Sequence, residues 1–267
     1  MNRIREGDMV VRKSYGKDIV FCVESIVTQQ GEKIAILKGL TIRITADSSL
    51  GDLEKVSLKQ VRENLRQWEE RILEESGKKK IKTRWEKIEP AGKILHLDGD
   101  RRYAEKSERY YRKNGLEAVV KNIKESEQAR LIGKFVEKYQ PDVVIITGHD
   151  GMIKKKMGYN DVSNYRNSRF FIEAVKKVRQ YSDQIAIFAG ACQSYYEGLI
   201  ESGANFASSP ARILIDFKDP LVVAQKIATT SQNRFLMIKD FEDELRDGRR
   251  GIDGIGSMGK KQIKYIQ

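Results

Sequence analysis

Two residues able to do nucleophilic and acid–base chemistry stand in matching positions of this sequence. His149 follows the apolar run DVVIIT (142–147), and Cys192 follows the apolar run QIAIFA (184–189). The chain of 267 residues contains only two His and two Cys in all. A thiol and an imidazole that meet can act as a nucleophile and its general base. We therefore predict that Cys192 and His149 form a catalytic pair.

The elements that must position this pair are two buried strands. Both apolar runs have the length of strands, and the pattern SRFFIEAVKKVRQYS (168–182) between them predicts a helix. Because a single helical crossover joins them, the strands are expected to be parallel neighbours, about 4.8 Å apart. The carboxyl ends of parallel strands form the rim at which α/β proteins bind ligands. We expect both side chains on one open rim, within reach of each other.

Small residues surround both predicted catalytic side chains. Gly148, Gly151 and Ala191 allow sharp turns and a close approach of the backbone to a bound peptide. Backbone amides in such turns, especially that of Cys192, can hold the oxyanion of a tetrahedral intermediate. On the histidine side, the sequence leaves open whether Asp150 or Gly151 supplies that amide. It identifies no residue that orients the imidazole.

Strand and helix patterns alternate from residue 92 to residue 246. Near-continuous apolar strands between amphipathic helices predict an α/β fold with a parallel, doubly wound sheet. The predicted strands cover 93–98, 116–122, 142–147, 184–189 and 205–210.

The remaining parts of the chain differ in character. Residues 1–56 alternate apolar and polar positions between tight turns, which predicts a small SH3-like β-barrel. Cys22 lies inside one of these strands, where we expect an inert apolar filler. Residues 57–91 predict a helical connector and a basic linker, and residues 247–267 a flexible Gly-rich tail.

Composition and charge limit the function classes. The net charge of +12 is compatible with nucleic acid or with acidic protein assemblies as partners. No apolar stretch approaches the roughly 20 residues that cross a bilayer. Without an apolar core of a secretion signal at its start, the chain is expected to be cytosolic. A structural zinc site would use every His and Cys, so we predict no metal and no cofactor.

The two motifs together resemble the caspase-type cysteine peptidases. In that group an apolar strand leads into His-Gly and a second apolar strand leads into Ala-Cys. Ala191 and Cys192 match this pattern, whereas His149 is followed by Asp150 before Gly151. Cys192 lies 43 residues after His149, compared with a spacing of about 50 residues in caspases. The resemblance implies a caspase-like peptidase domain over residues 92–246.

Nearly the whole chain resembles the YabG-type sporulation peptidases of spore-forming Firmicutes. The motifs that carry the resemblance are GDMVVRKSYGKDIVF, KILHLDGD, VVIITGHDG, YNDVSNYRNSRFF and FAGACQSYYEGLIESGANFASSPARILI. The resemblance implies a sporulation-associated cysteine endopeptidase that processes spore coat, cortex-associated and related proteins. Its place would be the cytoplasm of the sporulating cell and then the spore coat. His149 and Cys192 fall on the positions expected of the family's catalytic pair.

The end of the first strand of the sheet suggests a specificity. In caspase-like enzymes this strand end lines the pocket for the residue before the scissile bond, and here it reads Asp98-Gly99-Asp100. A carboxylate pairs well with the planar fork of Arg. We therefore predict cleavage after Arg or Lys, with the basic segment 77–88 as a candidate for self-cleavage. Alternatively, Asp98 and Asp100 cap the next helix.

A polar segment lies between the two catalytic candidates. Residues 159–171 are rich in Asn, Ser and Tyr, as is common in loops that carry function. We expect Tyr159, Asn164 and Arg166 to contact the substrate. The alternative is a solvated connection.

A second interpretation is a basic adaptor that binds nucleic acid or a protein assembly. The N-terminal barrel would then be the binding unit and the α/β part a receiver-like scaffold, since fold alone does not imply function. The α/β part lacks the interleaved aromatic and basic residues of nucleic-acid binders, which disfavours nucleic acid as the partner. For the barrel we predict docking to a coat-assembly partner.

Overall fold

The structure, a computed structural model, describes residues 4–29, 31–57, 60–61, 63, 90–153 and 158–262. The chain divides into two units, Met1–Lys87 and Ile88–Gln267. The predicted connector helix lies almost wholly outside the described residues. The basic segment 77–88 lies outside them entirely, so its proposed self-cleavage stays a prediction.

The N-terminal unit contains a five-stranded antiparallel sheet. Its strands are β1 (Met9–Arg12), β2 (Phe21–Gln29), β3 (Glu32–Gly39), β4 (Thr45–Ser49) and β5 (Leu53–Lys55). They lie in the order β4-β3-β2-β1-β5, and every neighbouring pair is antiparallel. Alternate apolar side chains such as Phe21, Val23 and Leu37 are buried, as expected for a sheet with one face toward a core.

The second unit contains a six-stranded mixed sheet. Its strands are β6 (Ile94–Asp98), β7 (Ala118–Asn122), β8 (Val143–Thr147), β9 (Ala186–Ala189), β10 (Phe206–Ser208) and, after the short β11 (Phe235–Leu236), β12 (Ile252–Gly254). The order is β12-β10-β9-β8-β6-β7, and only β12 runs antiparallel to its neighbour. Strand β13 (Ser257–Met258) pairs with β11 in a separate ribbon. The prediction of an α/β fold is confirmed.

Five helices of this unit are described: α1 (Arg101–Lys113), α2 (Glu125–Tyr139), α3 (Ser168–Arg179), α4 (Tyr196–Glu201) and α5 (Asp219–Thr229). Local sequence explains their ends. Asp100 caps α1 by accepting a hydrogen bond from the Arg102 amide, and Pro141 follows directly after the last turn of α2. None of the described helices has the length and apolar character needed to span a membrane.

Helices cover both faces of the mixed sheet. On one face, Leu95 and Ile146 share an apolar cluster with Phe171 of α3. His96 follows Leu95 in the strand and therefore points to the opposite face. There its Nδ1 lies 2.9 Å from the hydroxyl of Tyr111 in α1. The sheet is thus enclosed in a three-layer arrangement, which explains why its strands are apolar on both sides.

Strand order reverses beside β6, which lies between β7 and β8. In open α/β sheets, such a reversal opens a crevice beyond the carboxyl ends of the strands. Asp98 at the end of β6 is paired with Thr147 at the end of β8. The histidine loop leaves the sheet at this point.

The C-terminal segment differs from the expected flexible tail. Residues 252–254 form β12 at the sheet edge, paired with β10, and Ile252 is fully buried. The segment GIDGIG is too short to show a strand period, because its order comes from pairing with a strand more than 40 residues away.

Candidate active site

The register of two neighbouring strands brings the loops of His149 and Cys192 together. As predicted, β8 and β9 are parallel neighbours, with Ile146 paired to Ala189. The Gly190 amide continues this ladder with a 3.0 Å hydrogen bond to the Ile146 carbonyl. His149 and Cys192 each lie three residues beyond the Ile146–Ala189 pair. The two loops therefore leave the same edge of the sheet side by side.

Both side chains are fully buried, which differs from the open rim expected from the sequence. The Cys192 sulfur is covered by Ile215, whose amide nitrogen lies 3.4 Å and whose carbonyl oxygen lies 3.8 Å from Sγ. We call residues 213–217 the covering segment. No local pattern in the sequence indicates this contact, because Ile215 is 23 residues from Cys192.

The covering segment also reaches the histidine side. Phe217 stacks on Tyr103 of α1, with ring centroids 5.5 Å apart. The Tyr103 ring in turn lies 5.6 Å from the His149 ring. Aromatic contacts at these distances are favourable packing. The same short segment therefore packs near both members of the predicted pair.

Two further contacts hold the covering segment in place. The Gln193 amide donates a 3.1 Å hydrogen bond to the Ile213 carbonyl, and the Arg246 guanidinium donates a 2.8 Å hydrogen bond to the Leu214 carbonyl. Gln193, the residue after Cys192, has a left-handed backbone with φ of 55°. Such a conformation costs energy in a residue other than Gly, and it is common at functional turns.

The backbone of His149 is fixed by neighbouring loops. Its amide donates a 2.8 Å hydrogen bond to Glu125 Oε1, and its carbonyl accepts a 2.7 Å hydrogen bond from the Asn167 side chain. A carboxylate also lies near the ring, because Asp100 Oδ2 is 4.0 Å from His149 Nε2. This places an acidic group beside the imidazole, which the sequence alone did not identify.

Glu125 was not among the sequence-predicted site residues. This buried carboxylate at the start of α2 lies against Gly99 and Gly148. Gly99 directly follows β6, and Gly148 directly follows β8. A Cβ atom at Gly99 would stand 2.1 Å, and one at Gly148 2.4 Å, from Glu125 Oε1. The absence of side chains at both strand ends therefore makes room for the group that holds the His149 amide. The sequence feature that could have identified Glu125 is an acidic residue in the first turn of the helix after β7.

Two of the four predicted oxyanion residues already use their amides. The Gly151 amide donates a 2.8 Å hydrogen bond to Asp150 Oδ1, and the Ala191 amide donates a 2.9 Å hydrogen bond to the Ser194 hydroxyl. Gly148 and Asp150 lie on either side of His149 in the same loop. The structure thus ties the Gly151 and Ala191 amides to side chains of the loops themselves.

The two acids predicted to bind Arg or Lys have different environments. Asp98 is fully buried, and its carboxylate accepts hydrogen bonds from the Asp100 amide (2.8 Å) and the Thr147 hydroxyl (2.9 Å). It is therefore turned inward and does not line a surface pocket. The Asp100 side chain keeps 12% of its surface exposed while it caps α1. Asp100 therefore caps α1 through Oδ1, and its role in binding Arg or Lys stays a prediction.

The predicted substrate-contacting loop is partly buried. Tyr159 is 59% exposed, whereas Asn164 is 2% exposed and donates a 2.9 Å hydrogen bond to the Gly158 carbonyl. The Arg166 amide donates a 3.1 Å hydrogen bond to the Gly151 carbonyl, which joins this loop to the histidine loop. Asn164 therefore shapes the loop from inside, while Tyr159 presents its ring to solvent.

Within the described ranges, no three His, Cys, Asp or Glu side chains are grouped as metal ligands would be.

Comparison with known proteins gives a consistent assignment. The chain matches the family YabG peptidase U57 over residues 5–265. It is 36% identical over 279 aligned residues to the sporulation-specific protease YabG of Bacillus subtilis (strain 168), and the alignment covers 96% of each chain. No solved structure gives a significant match. The chain therefore belongs to the YabG peptidase U57 family and is a protease.

Proposed function

We propose that this protease is a cysteine endopeptidase in which Cys192 is the nucleophile and His149 the general base. The observation that carries the proposal is the shared register of β8 and β9, which sets both residues three positions beyond the same strand pair. Neighbouring strands are about 4.8 Å apart, a spacing that side chains of these lengths can bridge.

The proposed reaction passes two protons through His149, one from the thiol of Cys192 to the leaving amine and one from water to the thiolate. The imidazole of His149 takes the thiol proton of Cys192, and the thiolate attacks the scissile carbonyl carbon. Backbone amides of the loops, with those of Cys192, Gly148 and Asp150 as our candidates, hold the oxyanion. The imidazolium then protonates the leaving amine as the C–N bond breaks. Water, deprotonated by the imidazole, hydrolyses the thioester and restores the thiol.

We infer that the covering segment moves to let substrate reach the buried thiol. We expect the resting thiol of Cys192 to react with iodoacetamide about 10-fold more slowly than the half-buried Cys22. Replacing Phe217 by Ala removes the stack on Tyr103 and should speed the alkylation of Cys192. Mass spectrometry of tryptic peptides over time measures both rates, with Cys22 as the internal reference. Equal rates at the two thiols of the resting protein would contradict this account.

We further propose cleavage after Arg or Lys, with Asp100 as the specificity group, since Asp98 is turned inward. A carboxylate at the rim pairs with a guanidinium. We expect the protease to hydrolyse a fluorogenic peptide ending in Arg at least about 10-fold faster than its citrulline analogue, which has the same shape without the charge. The ratio of kcat/KM for the two peptides should approach unity in Asp100→Asn.

The matched control for this ratio is Asp240→Asn. Like Asp100, Asp240 accepts a hydrogen bond from a backbone amide at the start of a helical turn, here 2.8 Å from the Met237 amide, although it lies inside the turn and Asp100 lies at the N-cap. This variant should keep the preference for Arg. New termini mapped after incubation with a spore coat extract give an independent result, and cuts after acidic or apolar residues would end the proposal.

The relative from Bacillus subtilis is named a sporulation-specific protease, which supports a role in sporulation. We propose spore coat and cortex-associated proteins as the substrates. We propose action in the sporulating cell and then in the coat, with self-processing in the basic segment 77–88. A caspase-like arrangement of the second unit is supported by the parallel sheet with His149 and Cys192 after adjacent strands. For the N-terminal sheet we propose an SH3-like barrel that docks to a coat-assembly partner.

A further inference from the structure

The carboxylate of Asp150 lies buried at the centre of the candidate active site. The side chain is fully buried. Its Oδ1 accepts hydrogen bonds from the amides of Gly151 and Asn167, both 2.8 Å long. Asn167 precedes the first residue of α3 and also binds the carbonyl of His149. One oxygen of this carboxylate therefore joins the histidine loop to the start of α3.

The other oxygen reaches the cysteine loop through two hydroxyls. Oδ2 accepts hydrogen bonds from Ser168 and, at 2.9 Å, from Ser194. The Ser168 hydroxyl accepts a 2.7 Å hydrogen bond from the Tyr195 amide, and the Ser194 hydroxyl accepts a 2.9 Å hydrogen bond from the Ala191 amide. The backbone is thus held on both sides of the nucleophile position, at residue 191 before it and at residue 195 after it.

We propose that Asp150 is a positioning residue that locks the loop of His149, the loop of Cys192 and the first turn of α3 into one arrangement. This inference rests on the proposed catalytic pair. It concerns the Asp150 side chain, in contrast to the backbone amide considered above as an oxyanion donor. The carboxylate acts through Ser194 and Ser168 and does not itself touch the substrate.

The chemistry of the cluster explains why an acid stands here. A carboxylate only accepts hydrogen bonds, so each serine must donate to it and keep a lone pair for the loop amide. Burial raises the pKa of Asp150 to about 6, and the hydrogen bonds from Ser168, Asn167, Gly151 and Ser194 counteract that rise. The group is therefore mainly ionised at neutral pH. An Asn side chain has the same shape, but its NH2 group would donate a hydrogen bond and disrupt this pattern of serine donors.

The test compares Asp150→Asn with Ser194→Ala and with their double variant. Ser194→Ala removes the link to the Ala191 amide and spares the carboxylate. Asp52→Asn is the matched control, because Asp52 in the N-terminal unit also accepts hydrogen bonds from two serine hydroxyls, Ser14 (2.7 Å) and Ser48 (3.2 Å), and from the Ser14 amide. Asp52 lies outside the proposed catalytic machinery.

We expect Asp150→Asn to lower kcat on a peptide substrate by about 10- to 100-fold with little change in KM, since small misplacements of reacting groups have effects of this size. The double variant should lose little more than the larger single variant, because both changes break the same link. Hydrogen exchange should speed up at the amides of Ala191 and Tyr195. The Asp52→Asn control should change none of these values.

The outcomes separate this inference from the proposed function. If Asp150→Asn and Ser194→Ala keep full kcat and unchanged exchange at Ala191 and Tyr195 while Cys192→Ala is inactive, the positioning role is wrong and the catalytic pair stands. Additive losses in the double variant would also overturn the role. If Cys192→Ala keeps its activity, the proposed pair fails, and the exchange measurement still decides whether Asp150 orders the loops.

Discussion

Replacing Cys192 with Ala is expected to reduce proteolysis of a spore coat extract by about 10⁴-fold or more, because no other group can form the thioester. The substitution removes one buried sulfur atom. The covering segment keeps its other backbone contacts, such as the hydrogen bond between Gln193 and Ile213. The folded state should therefore survive. Gel analysis of the extract over time, together with thermal unfolding of the variant, measures both properties.

The matched control is Cys22→Ala, which changes the one other cysteine of the chain. Cys22 lies on β2 of the N-terminal unit, between the buried Phe21 and Val23. We expect this variant to keep full activity. Activity retained by Cys192→Ala would exclude the proposed nucleophile, and activity retained by both variants would leave a protease of another catalytic class.

The second large effect is expected at His149. Replacing it with Gln removes the general base and should lower kcat by about 10²- to 10⁴-fold. At neutral pH the alkylation of Cys192 should also slow, because the imidazole no longer favours the thiolate. Both values are measured on the same preparation, with a fluorogenic peptide for kcat and mass spectrometry for the alkylation.

His96 provides the contrast, since it is the other histidine of the chain. It is fully buried and hydrogen-bonded to the hydroxyls of Tyr111 (2.9 Å) and Thr147 (2.7 Å). We expect His96→Gln to lower the Tm because it disturbs this buried network. The alkylation of Cys192 should stay at the wild-type rate in this variant. If His149→Gln leaves kcat and alkylation unchanged, His149 is not the base.

The basic net charge of the chain does not by itself favour the adaptor interpretation. The chain belongs to a peptidase family, which agrees with the catalytic role that we propose for the motifs GHDG and GACQS; an adaptor would leave both motifs without a role. The net charge of +12 is compatible with docking to acidic protein assemblies. This is the role that we propose for the N-terminal unit.

Much of the α/β unit could be predicted because its signals are local. The apolar runs at 142–147 and 184–189 became β8 (Val143–Thr147) and β9 (Ala186–Ala189), and the helical pattern at 168–182 became α3 (Ser168–Arg179). Each of these segments shows its period or its apolar run within a few residues. The single crossover then made the parallel pairing of β8 and β9 predictable.

The different environments of Asp98 and Asp100 could not be predicted from local patterns. Asp98 and Asp100 are two residues apart and chemically identical, yet one is buried by bonds to Thr147 and the Asp100 amide while the other caps α1 at the surface. The alternation of a strand would place residues two apart on the same face, but β6 ends at Asp98 and Asp100 is already the N-cap of α1. Which of the two carboxylates faces the substrate therefore depends on what packs around each of them.

The family, the α/β alternation and the placement of His149 and Cys192 after successive strands were predictable from the sequence. The tertiary structure added four features: both side chains are buried, Ile215 lies against the Cys192 sulfur, Glu125 holds the His149 amide, and Asp150 joins the two loops. These contacts join residues that are far apart along the chain. Asp150 and Ser194 are 44 residues apart, and a contact between such residues arises from the folding of whole elements, which leaves no period in the sequence.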